Sequence, residues 1–412
     1  MPSPQTKAMG VVDKLSYEIF SLLESKFLFG AGAGTPARAF LDGGRVRMLS
    51  IDGCGAGGAE DALLAAAALA RLESGLQEQA GDPDARVADF FDVAAGAGAG
   101  AVLAAMLFLR GADGRPRYTA QEALAFVASS VGRKEKGWGG QRGRWAKLFR
   151  GARSGGGDRM LRRVFGDATL RDTVAPLLVP CYDLATAAPF VFSRADAVES
   201  DSLDFRLRDV CAATCADRGA LADVRSVDGL TAIAAACAGV AAMGNPAAAA
   251  VTHVLHNKLE FPLATSVEDI LVFSIGTGSS TTVSSGPKPN TPVPPTRAPS
   301  PRELARVTAE GVADMAGRKP APLHAETAAA AAETMLAQRN VESVLFRGRR
   351  LSERTNAEKV DTLVAELVKE QERRRSSPFP NVAIKQVATP RLSSATTASS
   401  GVVGFSPIVE LI

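Results

Sequence analysis

Apolar positions along the chain follow two rhythms. Val11–Phe27 places them at helical spacing and predicts an amphipathic N-terminal helix. From Arg45 onward the theme becomes a short apolar run, a glycine-rich turn and a helical stretch. Val46–Ile51 leads into Gly53–Gly58 and a helix over Asp61–Gln77. Phe90–Ala95 leads into Gly96–Gly100 and a helix over Ala101–Arg110. Leu177–Leu184, Pro189–Ser193 and Asp269–Gly276 read as further strands. A helix is expected over Pro246–Lys258, with Asn245 as N-cap and Pro246 in its first turn. Alternating strand–turn–helix units predict an α/β sandwich with a mostly parallel sheet.

The rhythm breaks twice. Gly30–Arg38 is a Gly/Ala/Pro joint, and Ser279–Pro301 is polar and proline-dense, as expected of a disordered linker. Helical, Ala-rich segments follow at Glu303–Ala316, Pro322–Arg339 and Asn356–Arg374, and then a Ser/Thr/Pro-rich tail. The expected layout is therefore an N-terminal helix and joint over 1–40, a main domain over 41–278 and a linker over 279–302. A helical extension over 303–374 and a disordered tail over 375–412 complete it.

Composition narrows the classes. The 412 residues are 46% hydrophobic and 22% charged, the balance of a soluble globular protein. A formal charge of +3 and 6% aromatics argue against nucleic acid as a partner. Five scattered cysteines form no CxxC pair, and there are only three histidines, so neither a disulfide framework nor a metal site is expected. The start of the chain lacks the apolar core of a secretory signal. Val102–Leu109, about two helical turns, falls short of the roughly 18 apolar residues of a membrane span. The expected setting is cytoplasmic, with any membrane contact peripheral.

Two glycine loops carry the candidate chemistry. Ser50–Gly58 fits GxGxxG at Gly53, Gly55 and Gly58, between a strand and a helix. Such a turn aims backbone N–H groups at one point at a helix N-terminus and suits a phosphate or a tetrahedral oxyanion. A tight turn with no ligand is the plain alternative. Nucleotide binding is disfavoured by Asp52, which would repel phosphate just before the glycines, and by the lack of a second-strand acid to hold a ribose. Gly96–Gly100 has the frame of a nucleophile elbow, GxSxG, with Gly98 at its centre.

Five blocks give these loops a context: RMLSIDGCG, DPDARVADFFDVAAGAGAGAVLAAMLFLRG, LVPCYDLATAAPFVFSRAD, DFRLRDVCAATCA and NPAAAAVTHVLHNK. In order, from about Asp13 to Gly278, they resemble the plant patatin-related phospholipases. The likeness is greatest to the third subgroup, in which glycine is common at the serine position. The resemblance implies a three-layer α/β sandwich and a Ser–Asp dyad without histidine. It further implies hydrolysis of acyl esters in phospholipids and galactolipids, with no cofactor and no metal.

Carried over residue by residue, the oxyanion loop falls on Gly53, Cys54 and Gly55, with amide donors at Cys54 and Gly55. Cys54 replaces a glycine and reads as a small buried residue. The elbow falls on Gly96 and Gly100, and the nucleophile position on Gly98. The aspartate lies a short, fixed distance before Asn-Pro in the family; counting back from Asn245-Pro246 reaches Ala238. Asp228-Gly229 also reads as DG, yet a similar segment precedes the dyad motif in relatives, so Asp228 is expected in a loop. Both dyad positions thus lack the side chains the reaction uses. Loss of the nucleophile alone typically costs on the order of 10⁶ in turnover. His253 and His256, three apart on the helix after Asn245, are expected to be structural, and His324 has no evident partner.

Arg133–Arg153 holds eight Lys/Arg against one acid, and both tryptophans are interleaved there. Trp138, Arg144, Trp145 and Lys147 are candidates for contact with a lipid surface; a solvated loop is the equal alternative. Two functions are carried forward: a patatin-like acyl hydrolase, and a catalytically inactive lipid-binding scaffold or sensor of the same fold. Oligomeric state is left open by the sequence.

Overall fold

A computed structural model describes residues 44–53, 59–131, 156–215, 222–236, 245–276, 328–344, 348–377 and 382–384. The expected N-terminal helix, the joint, the linker, Glu303–Ala316 and the basic stretch lie outside them, as does most of the tail. In chain order the main sheet contains β1 (Val46–Ile51), β2 (Val93–Gly96), β3 (Leu177–Asp183) and β4 (Ala188–Ser193). Strands β5 (Ala222–Arg225), β6 (Ala232–Ala236) and β7 (Ile270–Ile275) complete it. The helices of this region are α1 (Ala59–Ala80), α2 (Ala99–Phe108), α3 (Ala120–Val131) and α4 (Gly156–Phe165). After them come α5 (Arg194–Glu199), α6 (Leu207–Thr214) and α7 (Pro246–His256).

At the centre of the sheet β3, β2, β1 and β7 run parallel in that spatial order. Antiparallel β4 pairs along β3, and β6 and β5 extend the sheet beyond it. Every residue of β1 is buried, as a strand covered on both faces requires. Its alternate side chains serve two cores. Leu49 and Ile51 join the larger one under α1, α2 and α6, while Val46 and Met48 meet Ala250 and Val254 of α7 on the other face. These are the three layers. Helix α2 lies entirely within the larger core, with all ten residues buried, which explains why its sequence is apolar on every side. Helix α7 starts as its residues dictate: Asn245 Oδ1 accepts from the Ala248 N–H at 3.0 Å and Pro246 occupies the first turn.

Beyond the expected linker, α8 (Ala328–Ala337), a hairpin of β8 (Arg339–Val344) and β9 (Gly348–Thr355), and α9 (Asn356–Ser376) form one connected unit. The hairpin separates the two helices read from the sequence. It was missed because its charged residues hide the two-residue alternation. Helix α9 buries Val360, Val364 and Leu367 in the main core. It crosses α1 closely enough that a Cβ on Gly75 would sit 2.9 Å from Val364 Cγ2, so glycine is needed there. The end of α9 reaches the start of the sheet. The Arg374 guanidinium donates to both oxygens of Asp92, at 2.6 and 2.5 Å, and the Arg47 backbone N–H donates to Asp92 at 2.7 Å. Glu370, also buried, accepts from the Arg45 N–H.

Candidate active site

The site lies where the parallel strands end. Ile51 pairs with Gly96, so β1 and β2 finish at the same level and turn there together. The Ala97 N–H donates to Ile51 O at 3.1 Å, and the Asp52 N–H donates to Ile275 O at 2.9 Å, tying the ends of β1, β2 and β7. The two turns press on each other. A Cβ on Gly53 would lie 2.3 Å from Gly100 N, one on Gly96 2.6 Å from Ala101 Cα, and one on Gly100 2.1 Å from Ile51 O. Backbone cannot yield by such amounts, which accounts for glycine at all three places.

Gly98 is the N-cap of α2, two residues after the end of β2, at φ 56° and ψ −128°. An L-residue held there carries strain, which is the signature of an elbow that projects its side chain above a sheet. Gly98 projects none. Its N–H donates to Thr214 Oγ1 at 2.9 Å, so the end of α6 braces the turn. Thr214 is fully buried, and its hydroxyl is a prop, not a nucleophile.

Cys54, Gly55 and Ala238 lie outside the described residues, as do Trp138, Arg144, Trp145 and Lys147. Strand β6, after which Ala238 follows, ends at Ala236 opposite Tyr182 of β3. Asp228 occupies the exposed β5–β6 turn beside Gly229 (φ 76°). Hydrogen bonds from Ser202, Ser226 and the Leu230 N–H hold its carboxyl below the usual range. The histidines sit at the wrong end of α7. From there the chain runs through Phe261 and Ala264 to the start of β7, whereas Gly98 stands at the strand ends. His253 packs edge-on against Phe261 with Nε2 3.3 Å from Asn257 Nδ2, and His256 Nδ1 lies 2.8 Å from Thr252 O.

The residue that sequence reasoning undervalued is Asp52. It follows β1 on the α7 face, in register with Ser50 two residues before it. Its Oδ1 is buried with no hydrogen-bond partner among the described residues. A Cβ on Gly276, at the end of β7, would lie 4.0 Å from its Oδ2. Desolvation alone raises its pKa to about 7. Asp183, at the end of β3, shows the contrast. Burial opposes its charge too, but hydrogen bonds from Thr186, Ala185 and Ala234 outweigh that and hold its carboxyl low. A DG pair before a glycine loop gives the only sequence hint of Asp52, and nothing in it foretells the missing partner.

A strand–glycine turn–helix elbow braced by a second glycine turn, at the ends of a parallel sheet under three layers, agrees with what the family model of patatin-like phospholipase finds over residues 49–251. Similarity to individual proteins reaches much further. Patatin-like protein 3 of Oryza sativa subsp. indica is 49% identical over 405 residues, covering 88% of this chain and 92% of its own length. The chain belongs to the patatin-like phospholipase family. Patatin-like protein 7 of Arabidopsis thaliana is 41% identical over 422 residues, 91% of this chain and 84% of that protein. Probable inactive patatin-like protein 9, also from Arabidopsis thaliana, is 38% identical over 379 residues, 87% of this chain and 93% of that protein. The patatin family is one of lipid acyl hydrolases, so lipid is the ligand class of this fold. Among the described residues, no helix is long and apolar enough to cross a membrane.

Proposed function

We propose that this patatin-family protein holds acyl esters of phospholipids and galactolipids over the Gly98 elbow and does not process them through a Ser–Asp dyad. The observation that carries the reading is Gly98 itself, in the positive-φ backbone of a nucleophile turn and devoid of a hydroxyl. Ala238, at the aspartate position by spacing from Asn245-Pro246, removes the base as well. No acyl-enzyme can form at a glycine. The basic, Trp-bearing stretch 133–153 supports approach to an anionic lipid surface, with Trp138, Arg144, Trp145 and Lys147 as its contacts.

The test is labelling with a serine-directed fluorophosphonate, alongside sedimentation with phosphatidylcholine and galactolipid vesicles. Wild type should sediment with vesicles and remain unlabelled. Gly98→Ser with Ala238→Asp should be labelled and release fatty acid, and either single change should give at most a trace. Labelled wild type would refute the dyad-free reading, and loss of vesicle binding would refute the lipid reading. The scaffold or sensor alternative draws support from the relative named as probably inactive; it is favoured if wild type binds vesicles and releases no fatty acid at any pH.

A further inference from the structure

The paired losses at 98 and 238 leave the site without nucleophile or base, yet the backbone of Asp52 adjoins the elbow and its buried Oδ1 has no partner among the described residues. We propose that Asp52 is the general base for direct attack of water on an acyl ester held above Gly98, a serine-free hydrolysis. The inference rests on the acyl-lipid reading of this site.

Position comes first. Asp52 and Gly53 are in contact with the elbow: the place of a Cβ on Gly100 is 2.8 Å from Asp52 O, and the Ala99 N–H points at Gly53 O from 3.4 Å. Asp52 is half-buried, with Oδ1 enclosed and Oδ2 4.0 Å from the place of a Cβ on Gly276. Ser274 near the end of β7 and Gly276 just after it lie on that face, and both are exposed. Oδ1 is enclosed, so Oδ2, on the side of exposed Gly276, is the oxygen left to take a proton from water. Gly98, lacking a side chain, leaves the nucleophile's place to a solvent molecule.

Charge comes second. No ionisable side chain of β2, β7, α2, α6 or α7 is placed against Asp52. Strand β2 and helix α2 contain no titratable side chain, and β7 and the residue after it offer Ser274 and Gly276. Helix α7 has only His253 and His256, at its far end, and the ionic residues of α6, Arg208 and Asp209, belong to its first turn, away from Thr214. With no cation among the described residues to favour its charge, burial raises the carboxyl to about 7, where a general base works best.

The step balances without a co-reactant. The water oxygen bonds to the acyl carbonyl carbon, its proton passes to Asp52 Oδ2, and the carbonyl π pair moves onto oxygen. Collapse restores the carbonyl and breaks the bond to the glycerol oxygen. The same proton then leaves Asp52 for the departing alkoxide, giving a fatty acid and a lysolipid.

The experiment measures fatty-acid release from phosphatidylcholine vesicles by full-length wild type and Asp52→Asn, with vesicle sedimentation and thermal unfolding of both. Wild type should release fatty acid slowly, unaffected by fluorophosphonate. Its rate should rise between pH 6 and pH 8 with a midpoint near 7. Asp52→Asn should bind vesicles equally and lose at least about 10-fold in rate at pH 8, along with the pH dependence. Vesicle binding without any rate above Asp52→Asn would overturn the proposal and leave the lipid reading intact; absence of vesicle binding by wild type would overturn both. The pH profile of wild type decides the matter even if the variant fails to fold: a rate flat from pH 6 to pH 8 sinks the role of Asp52.

Discussion

A buried carboxyl with no partner works against the fold whenever it is charged, so Asp52 makes stability depend on pH in a definite direction. Its folded pKa, about 7, lies above the ordinary value of 3.8 that the unfolded chain retains. Between those values the folded state holds the proton that the unfolded state has released. Its contribution is therefore whole below pH 4, declines as pH rises towards 7, and is gone above. Asp52→Asn, which cannot ionise, should be as stable as wild type at pH 4 and more stable at pH 8. The expected difference is about 2 kcal/mol after allowing for the partial exposure of the group. Denaturant titration at the two pH values checks this. A fold that accepts such a cost at the mouth of its site is trading stability for function.

At the scale of elements, α9 behaves as part of the main body. It contributes apolar residues to the larger core and closes the start of the sheet with an ionic cluster of Arg45, Arg47, Asp92, Glu370 and Arg374. Burial lowers the Arg47 pKa, and the nearby Asp92 works against that shift. A buried charge set of this kind adds little over an apolar replacement but punishes the removal of one member. Asp92→Ala strands Arg47 and Arg374 together and should cost about 3–5 kcal/mol. Paired Asp92→Leu and Arg374→Met should recover only the share owed to Arg374, since buried Arg47 still loses its carboxylate partner. Urea unfolding of the three proteins is the measurement, and an Asp92→Ala loss under about 1 kcal/mol would mean that α9 is not fastened there.

For the whole molecule the open matter is how a lipid reaches the elbow. The net charge of +3 is modest, and eight of the 47 basic residues fall within 133–153. Electrostatic attraction concentrated in one stretch is screened by salt, whereas tryptophan insertion is not. Trp138→Ala with Trp145→Ala should weaken sedimentation with anionic vesicles about 10-fold or more at high salt. Arg144→Glu with Lys147→Glu should weaken it chiefly at low salt. Equal binding by all three proteins at both ionic strengths would show that this stretch does not meet the bilayer.

Much was legible before any coordinates. Strand β1, the N-cap of α7 and the strand–turn–helix order follow from patterns of two and 3.6 residues and from the stereochemistry of Asn and Pro, all local causes. The glycines of the elbow were visible as a motif, and their family context came with the ordered blocks around them. Less was visible where causes are distant. The β5–β6 hairpin consists of short strands, of which alanine-rich β6 owes its state to pairing with β3 on one side and β5 on the other. Whether Gly53, Gly96 and Gly100 are needed depends on atoms of neighbouring turns a few ångströms away. The order of residues determined that position 98 is glycine and position 238 alanine, neither of which can act as a nucleophile or a base. Tertiary structure alone decided that Asp52, just after β1, keeps a buried carboxyl oxygen without a partner among the described residues, because desolvation is a property of what surrounds a residue and not of the residue itself.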